Sequence, residues 1–192
     1  HTGALAVGGL VEPLRARAIA ALDVDEEGDS IDRIGADEQQ INQMQMTIDQ
    51  ECTQIIAKRQ PTAIDLRMIM TITKIVNDLE RAGDEVKKVA YKAAQARGSD
   101  QLTRIRYFDA TRAATGAREM LQLALDSFAR LDAAAAAEVI DRDEEIDAAF
   151  SAIMRQLVSY MMEDPRTITP ALEIVFIAKS IERIGDHSKN IS

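Results

Sequence analysis

The stretch NDLERAGDEV, residues 77–86, decides the fold, because the chain writes its centre twice. KSIERIGDHS, residues 179–188, repeats the pattern E-R-x-G-D, with Glu182, Gly185 and Asp186 where Glu80, Gly83 and Asp84 stand in the first copy. Glu80 and Asp84 match Glu182 and Asp186 at an offset of 102. Two further landmarks follow in the same order: Glu38-x-x-Ile41-Asn42 matches Asp143-x-x-Ile146-Asp147 at an offset of 105, and Pro61 matches Pro165 at 104. Landmarks that keep their order while the offset drifts by so little indicate an internal duplication.

Outside those landmarks the pattern is helical throughout. Six helices are predicted. The first runs from about Leu10 to Leu22, with Pro13 in its first turn, where a missing N–H costs nothing. The second spans about Ser30–Lys58 on the stripe Ile34, Ile41, Ile48, Cys52 and Ile55, and ends at Arg59-Gln60-Pro61. The third covers about Thr62–Ala96 on Ile72, Ile75, Val76, Leu79, Val86 and Val89, and stops before Gly98-Ser99-Asp100. The fourth takes about Gln101–Leu131. The fifth takes about Ala133–Met162, capped by Asp132, with Ile146, Phe150, Ile153, Leu157 and Met161 inward. Glu163-Asp164-Pro165 ends it, and the sixth begins near Thr167 or Thr169, with Pro170 in its first turn. No strand pattern competes. Helices of this length joined by short turns pack as antiparallel bundles. The expected fold is all-α: two tandem, duplicated three-helix bundles, residues 1–98 and 99–192, packed side by side.

Composition agrees. Of 192 residues, 46% are hydrophobic, which suffices for a large core, whereas aromatics are only 4% and Trp is absent. The formal net charge is −9 and the pI about 4.8. An acidic surface repels phosphate backbones, so nucleic acid is disfavoured and cations or basic protein surfaces are favoured. No apolar run approaches the ~20 residues of a membrane span. The single cysteine, Cys52, has no internal disulfide partner, which suits a reducing cytoplasm, and its isoleucine neighbours read it as a core residue. The chain opens on His1 and stops at Ser192 in mid-pattern, so both natural termini are expected beyond it.

The acids carry the candidate chemistry. Side chains at i and i+4 on a helix stand about 5–6 Å apart at Cβ, so Glu80 and Asp84 point together, as do Glu182 and Asp186, and Asp143 and Asp147. Like charges so placed cost a few tenths of a kcal/mol. Either basic neighbours or a bound cation must offset them. Arg81 and Arg183 are such neighbours, and a solvated acidic face with its own ion pairs is the plain alternative. The duplication favours more. If the second and third helices of each half are neighbours, each half gathers up to four oxygen-bearing side chains: Glu38, Asn42, Glu80 and Asp84 in the first, and Asp143, Asp147, Glu182 and Asp186 in the second. Hard cations want such a set, and Mg, Mn, Fe or Zn would suit it. A helical wheel places Glu80 and Asp84 roughly 100–140° from Leu79, near the bundle surface.

Gly83 and Gly185 each sit mid-helix, at a cost of about 1 kcal/mol against Ala, which implies close helix approach or room for a bound group. Of the two, packing is the favoured reason. His187 is expected to be an ordinary polar helix residue. The eight Met, including Met44, Met46, Met68, Met70, Met161 and Met162, are expected to be core or interface filler. Arg59 with Asp65-Leu66-Arg67 suits either a capping cluster or a docking surface. Nucleophile triads, phosphate-cradling glycine loops and zinc spacings are absent from the sequence.

Taken together, IIAKRQPTAIDLRM (55–68), DLERAGD (78–84), YMMEDPRTI (160–168) and SIERIGDHSKNI (180–191) resemble the PhoU family, over nearly the whole chain from the Gly9-Leu10-Val11 region onward. The resemblance implies a non-enzymatic cytoplasmic adaptor that holds the phosphate-starvation response off when phosphate is plentiful. Its implied partners are the ATPase subunit of the high-affinity phosphate ABC transporter and a phosphate sensor histidine kinase, with peripheral placement at the inner membrane through them. It further implies a homodimer, metal binding through paired E/D-x-x-x-D motifs, one pair per bundle, and a chain that continues past the last motif. Asn42 puts an amide where the family has a carboxylate, so the first site is expected to be the weaker. A di-iron carboxylate enzyme on a helical bundle is disfavoured, since that class needs Glu-x-x-His pairs and Ile184 stands three before His187. A purely structural bundle is the remaining alternative.

Overall fold

The computed structural model describes the backbone of residues 31–96 and 101–192; within these, the side chains of 31–42, 44, 59, 90, 93–96, 101–108 and 111 lie outside the description. The described residues form five long helices and no strand: α1 (Ile31–Arg59), α2 (Ala63–Ala96), α3 (Gln101–Arg130), α4 (Ala133–Glu163) and α5 (Ile168–Ile191), with a single 3₁₀ turn, Pro165–Thr167, before α5. They correspond to the second through sixth helices expected from sequence. The expected first helix and the Gly98-Ser99-Asp100 stop lie outside the described residues.

The helix ends follow from local chemistry. Gln60 takes φ 43 directly after α1, and Pro61 then bars continuation. Leu131 takes φ 53 after α3. Its N–H bonds to the Phe128 carbonyl at 3.1 Å, and that of Asp132 to the Ser127 carbonyl at 2.9 Å. These two bonds close a Schellman motif, which normally places Gly where Leu131 stands. Asp132 then caps α4 as expected, accepting from the amides of Ala134 and Ala135 at 3.0 and 3.1 Å. Asp164 ends α4 in extended backbone and caps the 3₁₀ turn by accepting from the Arg166 amide at 3.0 Å. Thr167 precedes α5 and donates its hydroxyl to the carbonyls of Tyr160 and Asp164, which ties the turn back onto α4.

α5 is the hub of the molecule. It packs against α3 and α4, which also pack against each other, and this makes the three-helix bundle of the second half. It also packs against α2, which in turn carries α1. The seam between the halves is therefore the pair of third helices, the two that bear the repeated E-R-x-G-D stretch.

One core runs through both halves. It takes Ile48 and Cys52 from α1, Ile69, Ile72, Ile75, Val76 and Leu79 from α2, Met120 and Leu121 from α3, and Ile177, Ile181 and Ile184 from α5. Each such side chain contributes about 1.5–3 kcal/mol by leaving water. A smaller cluster of Ile153, Leu157, Ala171, Ile174 and Ala178 closes the α4–α5 end. Cys52 is buried as expected. The methionines divide. Met120 is fully buried, and Met68 and Met161 pack on the cores, but Met46, Met70 and Met162 are exposed, Met162 by 81%. The last three are not core filler in this chain; they face away from the helices that α1, α2 and α4 pack on. At the Pro61 turn, the Thr62 hydroxyl donates to Asp65 at 3.1 Å, a local contact that favours the capping reading of that cluster.

Candidate functional site

α4 and α5 bring the second-half acids to one lysine. Asp143 on α4 is 2% exposed, because it points at Gly185 of α5 instead of into solvent. A methyl at Gly185 would lie 3.4 Å from Asp143 Oδ1 and 3.4 Å from Ile146 Cγ2, at the limit of ordinary contact. Gly185 thus sits at a close approach of the two helices, as favoured from sequence, though the approach leaves just enough room for a methyl. Asp143 Oδ2 accepts from Lys189 Nζ at 2.6 Å, while Oδ1 is buried without a hydrogen-bond partner. The Lys189 ammonium is held protonated above its ordinary range, first by that hydrogen bond, then by the charge of Asp143, and also by the charges of Asp147 and Asp186.

The four expected ligands thus separate. Asp143 pairs with Lys189, Asp147 and Asp186 reach that ammonium only through their charge, and Glu182 turns toward Lys179, with Nζ–Oε2 at 2.5 Å and a side chain 15% exposed. As these side chains stand, no three Asp, Glu, His or Cys among the described residues are grouped to share one ion. The expectation of a cluster near the bundle surface holds for Asp147 and Asp186, both exposed, and fails for Asp143. Asp143 lies on the flank of α4 that α5 covers. In the first half, Glu80 and Asp84 are half-buried on α2. Glu38 and Asn42 lie on the backbone of α1, but their side chains are outside the described residues, as is the face of the first half that corresponds to 143–147.

The donor types are those a hard cation takes, but the acids do not stand together as one set. Asp143 Oδ1 is the buried polar atom among them without a hydrogen-bond partner, and leaving such an oxygen unsatisfied is costly.

A second polar cluster, not foreseen from the sequence, lies in the seam. Asp78 on α2 meets His187 on α5, and Glu85 on α2 meets Arg183, so the two helices run antiparallel. His187 is 8% exposed and its Nδ1 donates to Asp78 Oδ1 at 2.9 Å, with Asn190 Nδ2 donating to the same oxygen at 3.3 Å. The sequence reading of His187 as an ordinary polar helix residue is thus sharpened: it is a buried junction between the halves. At the other side of the crossing, Glu85 Oε1 accepts from Arg183 at 2.8 Å and from Lys88 at 2.9 Å, and Ser180 also donates to Glu85. Burial pushes the Glu85 carboxyl up, but the hydrogen bonds from Lys88 and Ser180 and the charges of Arg183 and Lys88 outweigh it, so the group sits below its ordinary range. The signal for this seam was in the repeat. At the offset of 102, Asp78 corresponds to Ser180 and Glu85 to His187, so the contacts Asp78–His187 and Ser180–Glu85 are the same contact seen from the two copies.

The PhoU domain model matches the chain twice, over residues 6–93 and 110–192. The phosphate-specific transport system accessory protein PhoU homolog of Pseudomonas aeruginosa is 44% identical over 188 residues, 98% of this chain and 77% of that protein. The phosphate-specific transport system accessory protein PhoU of Escherichia coli K12 is 38% identical over 191 residues, 100% of this chain and 78% of its own length. The crystal structure of PhoU from Pseudomonas aeruginosa matches with a TM-score of 0.79 at 43% identity, covering 99% of this chain and 90% of that one. The phosphate transport system regulatory protein PhoU from Streptococcus pneumoniae matches at 0.73 and 25% identity, covering 99% and 88%. A domain matched once in each half, with relatives this similar over the full length, settles the family: the chain belongs to the PhoU family.

Proposed function

We propose that this chain is a non-enzymatic accessory protein of a phosphate-specific transport system, acting as an adaptor between the ATPase subunit of the phosphate ABC transporter and a phosphate sensor histidine kinase. In this reading it holds the phosphate-starvation response off when phosphate is plentiful and modulates uptake. What carries the reading is identity of 44% and 38%, over nearly all of this chain, to two proteins named as accessory to phosphate-specific transport. The chain is not an enzyme, in keeping with a family of regulatory accessory proteins. No helix among the described residues is long and apolar enough to cross a membrane. We place the protein in the cytoplasm, as a homodimer held at the inner membrane by its partners.

The same reading includes cation binding. Asp143, Asp147, Glu182 and Asp186 would hold a divalent or trivalent ion in the second half, and Glu80, Asp84, Glu38 and Asn42 a weaker one in the first. Bound there, the ion would supply the positive charge that fixes α4 against α5. The support is the partnerless buried oxygen of Asp143.

Two experiments test these statements. Purified ATPase subunit and kinase cytoplasmic domain should each be retained by the immobilised protein, in a manner that depends on phosphate status. Failure to retain either at any phosphate level overturns the adaptor role. Elemental analysis of protein prepared without chelator or a histidine tag should find metal that is lost in Asp143→Ala/Glu182→Ala; a protein free of metal overturns the cation sites alone.

A further inference from the structure

α5 carries a face that the bundle does not use. Ile168, Leu172 and Phe176 recur at every fourth residue and so form one stripe along the helix. All three are exposed, Phe176 by 55%. α4 runs antiparallel beside them, with Asp143 at Lys189 and Phe150 at Lys179. That register brings Val158 level with Leu172 and Met162 level with Ile168, and both are exposed as well. Single exposed apolar residues need no explanation, but five at one end of two adjacent helices make a patch.

A cation stands at its edge. Lys92 of α2 lies over the Phe176 ring, with Nζ 5.0 Å from the centroid. The neighbouring cations are each matched to an acid: Lys88 and Arg183 to Glu85, and Lys179 to Glu182. Lys92 has the ring alone among the described residues. In a chain of net charge −9, an ammonium held beside an apolar stripe without a carboxylate is open to an anion. The repeat sets this face apart from the first half. At the offset of 102, Leu172 corresponds to Met70 but Phe176 to Lys74, so the ring has no counterpart there.

We propose that this face docks an amphipathic helix of a protein partner, with apolar side chains laid along Ile168, Leu172 and Phe176 and a carboxylate meeting Lys92. This rests on the adaptor reading given above, and gives one of its two partners a place to bind. A helix suits the stripe because its own apolar side chains recur at the same spacing. A carboxylate suits Lys92 because it brings the full opposite charge that the ring lacks. Other occupants fit less well. An anionic bilayer would meet the acidic chain along with the patch. A second copy laid on the stripe would bring matching apolar side chains and another ammonium.

The test uses the whole chain, with the purified ATPase subunit and the kinase cytoplasmic domain as probes, read by biolayer interferometry. Phe176→Asp and Leu172→Asp should each weaken the binding of one probe at least ~10-fold. Lys92→Glu should weaken the same probe, and Lys92→Met should reduce the dependence of its binding on NaCl. Both apolar positions are exposed, so the Tm of their variants should stay that of the unmodified protein. A fall of several degrees would mean that another part of this chain already covers the stripe, and overturns the docking face. Unchanged binding of both probes in Phe176→Asp and Lys92→Glu would leave the adaptor role standing and overturn the docking face alone. Binding of neither probe by the unmodified protein would overturn both. Loss in Phe176→Asp of self-association, read by sedimentation equilibrium, or of binding to phosphatidylglycerol vesicles would assign the face to a second copy or to a bilayer and overturn the helix.

Discussion

Replacing Glu85 by Gln tests the seam directly. Gln keeps the shape and removes the charge that Arg183 and Lys88 share at 2.8 and 2.9 Å. Hydrogen bonds to charged groups contribute about 1.5–3 kcal/mol each, and breaking a buried ion pair costs about 3–5 kcal/mol when the remaining charge is trapped. Neither cation is trapped here. The side chains of Lys88 and Arg183 are 52% and 47% exposed against 3% for Glu85, so both heads rehydrate once released. The expected cost is therefore near the lower bound, about 2 kcal/mol, or roughly 4–8 °C in Tm for a chain of this size. Urea unfolding followed by circular dichroism, in chelator at pH 7, measures it. The sign of the pH dependence is fixed by the lowered Glu85 pKa. The native carboxyl binds its proton less readily than the unfolded one, so its contribution is complete above the ordinary Glu value and is lost as pH falls through the native one. The two proteins should thus converge in acid, below about pH 4. A gap under about 0.5 kcal/mol at pH 7, or one that widens on acidification, would refute the assignment of Glu85 as an ionised anchor of the seam.

Other outcomes are equally specific. Leu131→Gly should raise stability by about 1 kcal/mol in the same assay, since Leu131 holds φ 53 and is 70% exposed, so that relieved backbone strain outweighs the little burial lost. Gly185→Ala should leave stability unchanged or raise it by up to about 1 kcal/mol, because its methyl fits at 3.4 Å, yet elemental analysis should find less metal, as the methyl crowds Asp143 Oδ1. Cys52 is buried, and burial raises its thiol pKa above the ordinary range, so thiol reagents at pH 8 should modify it far more slowly in the native protein than in urea.

Most of the scaffold could be read from the sequence because its signals are local. Pro61, Asp132, Pro165 and the isoleucine stripes each act within a few residues, and the helix ends fall where they predict. The repeat, also a one-dimensional pattern, gave the two halves. What the sequence hid was the contact between the halves. α5 is covered by α2, α3 and α4 together, so its buried arc is much wider than its apolar stripe, and polar residues such as His187, Ser180 and Ser188 lie inside it. A wheel centred on the stripe assigns them to solvent. Asp143 was misplaced for the same reason: its neighbour is Gly185, a residue without a side chain to announce the approach. The metal question divides along this line too. Spacing along each helix paired the acids, but only the packing of α4 on α5 showed that Asp143 turns inward to Lys189 and Glu182 away to Lys179.

The unlike residues at the two ends of the seam bear on how the chain avoids pairing with the wrong copy of itself. The halves arose as repeats, so α2 of one molecule is a plausible mate for α2 of another. In the antiparallel register seen here, that mating would set the partly buried Asp78 against the buried Glu85 at both ends of the crossing, and like charges so opposed cost several kcal/mol. The correct mate offers His187 to Asp78, and Ser180 with Arg183 to Glu85. Asp78 and His187 are 109 positions apart. At translation rates of about 5–20 residues per second, a newly made first half waits on the order of 5–20 seconds for its mate. During that interval a neighbouring first half would be the competing mate, and the acids of α2 would oppose that pairing.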